Sequence, residues 1–484
     1  MKTEEIELIK SKHNAAIIAP AGHGKTEMIT ELIDKLPGKK LVLTHTNAGV
    51  NALTQRLRKK SVAKEKYNLS TISSFCMRWC NSYPSTAGMN PDINVKDDNY
   101  YQMLHSGAVK IFSHEWSRDV LYRTYDYLIV DEYQDCIVNQ HKIFVEINKR
   151  IPVYVFGDPL QAIFGFKEKL VSWKNLEFEI LNNEIETSPW RWDKTNPNLG
   201  KYLSDVREQL LPSLDGQQIK LSIIPDWQSI YRITPQEVHN AKLYQIPKEY
   251  QSILYIAKWS TDTIAFAKST GGKFQNDETQ DLKDLYQYAN FLDSNDGDTI
   301  AKGLFNFILE CASNAATELK SYKGHIQSGD YDFHLLKKHK DFGNRIMKVY
   351  QTHSHDDMLS VLEWIKNTKI FKLYRKELFD EMQRAIWRSR DRQITIEQAA
   401  QEIRMLPDSQ SRYPNFKRLA PRTLLSKGLE FECVIIDLSK INQGRYTSTD
   451  MYVAMTSAMR AIYFIIDQDS VLLDKPEGIK FKDL

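Results

Sequence analysis

Two short segments carry side chains whose types and spacing suit phosphate chemistry. Ala19-Pro-Ala21-Gly22-His23-Gly24-Lys25-Thr26 follows the apolar stretch Ala16-Ile17-Ile18. It fits the phosphate-binding loop G-x-x-x-x-G-K-[ST], with Ala19 at the place of the leading Gly. Ala21, Gly22, His23 and Gly24 form the cradle, where two glycines let backbone N–H groups approach a phosphate. The helix expected from Glu27 to Leu36 points its positive N-terminus at the same place. Lys25 neutralises charge on the β- and γ-phosphates. The second segment, Leu128-Ile-Val-Asp131-Glu132-Tyr-Gln134-Asp135, ends another apolar run. The Thr26 hydroxyl and the Asp131 carboxylate form a Mg²⁺ site, and Glu132 is placed to orient or deprotonate a water. Together the segments predict a nucleoside triphosphatase.

Strands must position these groups. From residue 14 to about 180, apolar stretches alternate with amphipathic helical patterns, which predicts a parallel sheet with helices on both faces. The strand candidates are Ala15–Ile18, Lys40–Thr44, Asn68–Thr71, Tyr127–Val130 and Val153–Phe156, and ligands of such a sheet bind at its strand ends. Residues 81–120 interrupt the pattern as a small insertion. A second α/β set is expected at Ile219–Ile224, Ser252–Lys258, Cys433–Leu438 and Ile462–Ile466. No Pro occurs from 248 to 406, and Leu304, Ile308, Cys311, Ala315 and Leu319 recur at helical spacing, as do Tyr374, Leu378, Met382 and Ile386. This predicts an α-helical domain at 273–405, inserted into the second α/β domain.

Composition bounds the reading. A chain of 484 residues calls for two to four domains, and 42% hydrophobic with 11% aromatic residues is enough to fill their cores. The net charge of +3 confines any nucleic-acid site to a local groove. Five Cys without a C-x-x-C pair, Cys76 and Cys80 one helical turn apart, read as buried thiols rather than a metal site. Residues 1–10 are charged and no run of 18 apolar residues exists, so no signal peptide or membrane span is expected and the cytoplasm is the default.

Further clusters sit at expected strand ends. Gly157-Asp158-Pro-Leu-Gln161-Ala-Ile163-Phe164-Gly-Phe166 places a Gln amide where it can sense a γ-phosphate or water, or act as a polar turn. Phe164 and Phe166 can stack on bases or pack in a core. Thr44-His-Thr46-Asn47 opens a helix suited to a DNA phosphate; its closing run, Gln55 to Lys60, also reads as a solvated face. Thr71-Ile-Ser-Ser74-Phe75 is similar. Trp190-Arg191-Trp192 precedes the second set of strands, and an Arg reaching the γ-phosphate from there would tie hydrolysis to domain closure.

In this order, Asp131-Glu132-x-Gln134-Asp135, Gly157-Asp158-x-x-Gln161-x-Ile163 and Ser426-Lys427-Gly428-Leu429-Glu430-Phe431 resemble the UvrD/Rep-like helicases of superfamily 1. The resemblance implies an α/β fold of two RecA-like P-loop NTPase domains with α-helical insertions. The first is 1–180, the second 181–272 with 406–484, and 273–405 is the insertion. It implies an ATP-dependent DNA helicase that uses Mg²⁺ and moves 3′ to 5′ on single-stranded DNA. By resemblance Gln161 couples nucleotide to DNA, Arg191 contacts the γ-phosphate and Glu430 the ribose. Thr46, Asn47, Ser74, Phe75, Phe164 and Phe166 match DNA-facing positions.

Two departures stand out. The family's closing Thr-Arg-Ala reads Thr456-Ser457-Ala458 here, and Arg460, three residues on, would face nearly the same way on a helix and substitute. No Gln precedes the phosphate loop; Glu4 or Glu5 falls there, and a carboxylate accepts from adenine's amine but cannot donate, which leaves other NTPs open as substrates. By size and motif style the chain also resembles the helicase-like subunits of bacterial antiviral systems such as Gabija. The competing reading is therefore an NTPase that senses DNA ends and regulates a partner nuclease.

Overall fold

A computed structural model describes residues 3–89, 99–163, 169–173, 176–181, 185, 187–223, 229–239, 250–276, 282–405, 417–421, 423–440 and 446–476. The chain divides into two compact units. The first is Met1–Pro235 with Lys427–Glu432 and Ser439–Leu484; the second is Gln236–Ser426 with Cys433–Leu438.

The first unit is organised by five parallel strands: β1 (Asn14–Ile18), β2 (Lys40–Thr44), β3 (Tyr67–Thr71), β4 (Tyr127–Val130) and β5 (Val153–Gly157). Their order is β1-β5-β4-β2-β3. β1, β2, β4 and β5 are near-continuous apolar runs because helices cover both faces of the sheet. All five lie within one residue of the spans expected from sequence. β5 is inserted between β1 and β4, so the ends of the phosphate-loop strand and the acidic strand flank the Gly157-Asp158 turn. Residues 84–87 and 100–113 of the expected insertion are helical, as are 115–122 across its end, and they share a core with Phe75.

The other strands of this unit differ from expectation. Ile219–Ser222 pairs antiparallel with Ser470–Leu473. The strand that runs parallel to Ala458–Ile465 is Ile230–Ile233, which the sequence reading missed. It is only four residues long and half-exposed, so it lacks the long apolar run that marks a buried parallel strand.

In the second unit Arg418–Leu419 and residues 433–437 both run parallel to Ile253–Ala257. Residues 282–405 are mainly helical around their own apolar core. The periodic run from Leu304 to Leu319 is not one helix. It stops at Cys311, and Asn314 at φ 65° turns the chain before Ala315–Glu318. All five periodic residues are nonetheless buried, so the spacing identified the core but not the break. Among the described residues no helix is long and apolar enough to cross a membrane.

Candidate active site

The loop after β1 has the backbone a phosphate cradle needs. Gly22 and Gly24 take φ of 72° and 85°, a region L-residues rarely adopt, and Gly24 caps the helix Lys25–Lys35. A Cβ on Gly22 would stand 2.6 Å from the Trp192 ring, so only glycine fits. The amide of Ala21 donates to Asp158 Oδ2 at 3.2 Å, and that of Ala19 to the Gly157 carbonyl at 3.0 Å, pinning the loop to the end of β5. The His23 ring bonds the Ala21 carbonyl at 2.8 Å, and burial pushes its pKa down. Thr26 lies in the first turn of the helix.

Lys25 and the acidic strand end meet. Its ammonium hydrogen-bonds Glu132 and lies 3.6 Å from Asp131 Oδ1. Burial acts to lower the lysine's pKa, but the two carboxylates outweigh it and hold it above the ordinary value. Burial, opposed by Lys25, pushes Asp131 up to about 6. For Glu132 the balance is reversed: burial would raise its pKa, but Lys25 and Lys427 together hold it well below the usual range. Glu132 also sits at φ 55°, a strained backbone for a non-glycine residue of the kind found at functional sites.

Gln134 and Lys427 complete the arrangement, and sequence reasoning gave neither a role. Gln134 donates to Glu132 Oε2 at 2.5 Å and accepts from the Asp158 amide at 3.1 Å. Lys427 pairs with the buried Asp135, lies 3.3 Å from Glu132 Oε2 and donates to the Gln161 carbonyl at 2.9 Å. Both stood inside the quoted motifs, which was the available signal.

The short helix Trp190–Asp193 lies against the loop. The Arg191 amide donates to the Gly22 carbonyl at 3.1 Å. Its guanidinium donates to Glu430 Oε1 at 2.8 Å and the Thr456 carbonyl at 2.6 Å. Trp192 Nε1 donates to the Ala458 carbonyl at 2.7 Å. Trp190, also missed from sequence, is 66% exposed, and its ring lies 3.3 Å from where a Cβ on Gly24 would stand.

Other expected residues are placed differently. The helix 448–456 ends at Thr456, and Arg460 lies on the strand Ala458–Ile465, so the helical argument for it as a substitute finger fails. Its guanidinium is half-exposed, 3.6 Å from Glu432. Phe75 is a core ring, 2% exposed and stacked on Phe112 at 5.6 Å, rather than the DNA-facing side chain the resemblance implied. Thr46 is exposed and caps the helix that begins at Asn47, accepting from the Gly49 amide. Ser74 is exposed in the first turn of the helix Ile72–Ser82. Phe164 and Phe166 lie outside the described residues. Arg56 and Lys60 of the basic run pair with Glu27, as a solvated face would. Cys76 and Cys80 are buried thiols.

The donor set fits a magnesium-bound nucleoside triphosphate. Two glycines open the cradle, a lysine and an arginine stand beside it, and the Thr26 hydroxyl and Asp131 offer the oxygen ligands that Mg²⁺ favours. Among the described residues no group of three or more His, Cys, Asp or Glu could hold a metal by itself.

Strand order, loop and acidic strand end define an α/β, RecA-like nucleotide-binding fold. Residues 1–122 and 102–173 match the family model of the UvrD/REP helicase N-terminal domain. The RecBCD enzyme subunit RecB of Buchnera aphidicola subsp. Schizaphis graminum is 30% identical over 89 residues, 18% of this chain and 8% of that protein. The chain therefore spans under a tenth of that relative's length. Among solved structures, the arterivirus nonstructural protein 10 helicase with DNA has a TM-score of 0.36 at 8% identity, covering 96% of this chain and 64% of its own. A Pif1 helicase structure at forked duplex DNA has a TM-score of 0.30 at 16% identity, covering 57% and 59%.

Proposed function

We propose that the chain is a DNA-dependent nucleoside triphosphatase of the UvrD-like type, hydrolysing ATP with Mg²⁺ to translocate on or unwind DNA, 3′ to 5′. The observation that carries this is the convergence of Lys25, Asp131, Glu132, Gln134, Lys427 and Arg191 on one glycine loop. The UvrD/REP match over residues 1–173 supports it independently. In this reading 1–180 is the first motor domain, 181–272 with 406–484 the second, and 273–405 the insertion.

The chemistry follows from the pairings. Lys25 exchanges Glu132 and Asp131 for the β- and γ-phosphates, and Thr26 with Asp131 holds the magnesium. Bound with the nucleotide, that ion neutralises developing charge on the phosphates. Glu132, released from Lys25 and still oriented by Gln134, accepts a proton from the attacking water. Arg191 turns from Glu430 and Thr456 toward the γ-phosphate, and Glu430 is freed for the ribose. In this reading Gln161, whose carbonyl accepts from Lys427, couples nucleotide to DNA. The exposed Trp190 ring offers a stacking face that tolerates any base.

A second reading, in which hydrolysis at DNA ends regulates a partner nuclease, is favoured by the Arg191 pairing, since an arginine occupied by protein groups suits a switch. One experiment tests both. Hydrolysis is measured with and without single-stranded, duplex and end-bearing DNA, beside strand displacement. Stimulation with displacement supports the motor, and stimulation by ends without displacement supports the switch. No hydrolysis under any condition overturns both.

A further inference from the structure

Asp158 is fully buried, and every polar atom it has is engaged. Its Oδ2 accepts from the Ala21 amide of the phosphate loop at 3.2 Å. Its Oδ1 accepts from the Leu160 amide at 3.2 Å and from Arg207 Nη2 at 3.3 Å. Its own amide donates to Gln134, which holds Glu132, and its carbonyl accepts from the Gln161 amide at 2.8 Å. The hydroxyl of Tyr452, also buried, hydrogen-bonds the same carboxylate. Arg207 comes from the helix Pro197–Leu210 and Tyr452 from the helix Ser448–Thr456, both remote in sequence from the loop.

We propose that Arg207 and Tyr452 are positioning residues for nucleotide hydrolysis, holding the Asp158 carboxylate so that it fixes the phosphate loop through Ala21 and the Glu132 carboxylate through Gln134. A buried carboxylate without a cationic partner is strongly disfavoured, so the position of Asp158 follows that of Arg207. Its two oxygens face different tasks. Oδ1 is held by the guanidinium, and this aims Oδ2 at the loop. Whatever moves the helices carrying Arg207 and Tyr452 therefore moves the loop amide and the carboxylate that orients water together. Neither residue needs to touch nucleotide.

The inference rests on the reading that the loop binds nucleotide, and the test separates the two. Nucleotide affinity, KM and kcat are measured for the unchanged protein, Lys25→Ala, Arg207→Ala, Arg207→Lys and Tyr452→Phe, each with its thermal midpoint. The expected result is that Tyr452→Phe, which removes a single hydroxyl, weakens nucleotide affinity and lowers kcat by about fivefold while the midpoint moves little. Arg207→Ala loses about a hundredfold or fails to fold, and Arg207→Lys recovers most of the loss because it restores the charge. A purely structural role would lower the midpoint and leave affinity and kcat of the folded protein unchanged. Tyr452→Phe and Arg207→Lys both matching the unchanged protein in affinity and kcat overturns the proposal and leaves the nucleotide reading standing. An unchanged protein that binds nucleotide no better than Lys25→Ala removes both.

Discussion

Arg191 donates from one side of its guanidinium to Glu430 at 2.8 Å and from the other to the Thr456 carbonyl at 2.6 Å, while its backbone is bound to Gly22 of the phosphate loop. An arginine so placed has its main chain fixed to the loop proposed to bind the phosphates. Arg460 instead lies half-exposed on a strand. Arg191→Ala should lower kcat by about 10³–10⁵, the range of a transition-state arginine. Arg460→Ala should lower it less than about tenfold, a side chain at the protein surface having little to lose. Steady-state hydrolysis of both variants decides the assignment, and equal losses would return Arg460 to the site.

Lys25 and Glu132 carry separate halves of the chemistry and are ion-paired to one another. Lys25→Ala should abolish hydrolysis and weaken nucleotide binding. Glu132→Gln should abolish hydrolysis and leave binding intact or tighter, because the lysine is freed from its carboxylate. Calorimetric titration of nucleotide beside a phosphate-release assay reads both, and measurable turnover in either variant contradicts the site.

Lys427 neutralises Asp135, whose carboxyl burial pushes up to about 6. Removing the lysine strands that carboxylate, so Lys427→Met should destabilise the protein by about 3–5 kcal/mol. Asp135→Asn in the same chain should recover a large part. Denaturant unfolding of the single and double variants measures the recovery, and additive losses would show that the two side chains do not interact.

Stimulation by single-stranded DNA should fall steeply with salt. The net charge of +3 leaves binding to local contacts with phosphates, each releasing a counterion. A plot of log affinity against log salt should be linear with negative slope. A flat plot would exclude backbone contacts as the source of binding.

Lys40 is fully buried on β2, donating to the Leu36 carbonyl at 2.5 Å and the Gly38 carbonyl at 2.9 Å, and burial pushes its pKa down to about 8. Between about pH 8 and the unfolded lysine value near 10.4 the unfolded chain binds more protons than the folded one, so stability rises with pH across that window. The penalty for burying the ammonium is fully present below pH 8. Unfolding free energies of the unchanged protein and Lys40→Met should therefore diverge with pH, the unchanged protein gaining on the variant from pH 8 to 10. Parallel curves would show that Lys40 does not titrate in the fold.

The sequence alone determined the local chemistry and the elements that carry it. The loop 19–26, the acidic strand end at Asp131-Glu132 and the first five strands were legible because each is a short-range pattern: an apolar run, a glycine pair, a charge at a strand end. Spacing also identified the core residues of the helical region, since periodicity reports burial. What tertiary structure decided was everything set by chain-distant neighbours. Phe75 matched a DNA-facing position by its place in a motif and is a core ring because the helix Tyr100–Ser113 brings Phe112 onto it. Arg460 looked helical by extrapolation and is on a strand, because the chain switches state at Ser457, whose carbonyl accepts from the Phe431 amide. Lys427, Gln134, Arg207 and Tyr452 gained their places only once β5 was inserted between β1 and β4 and brought Asp158 between loop and carboxylate. Hydrogen bonds and ion pairs depend on ångström-scale proximity, and proximity between residues hundreds of positions apart is a property of the fold, not of any segment within it.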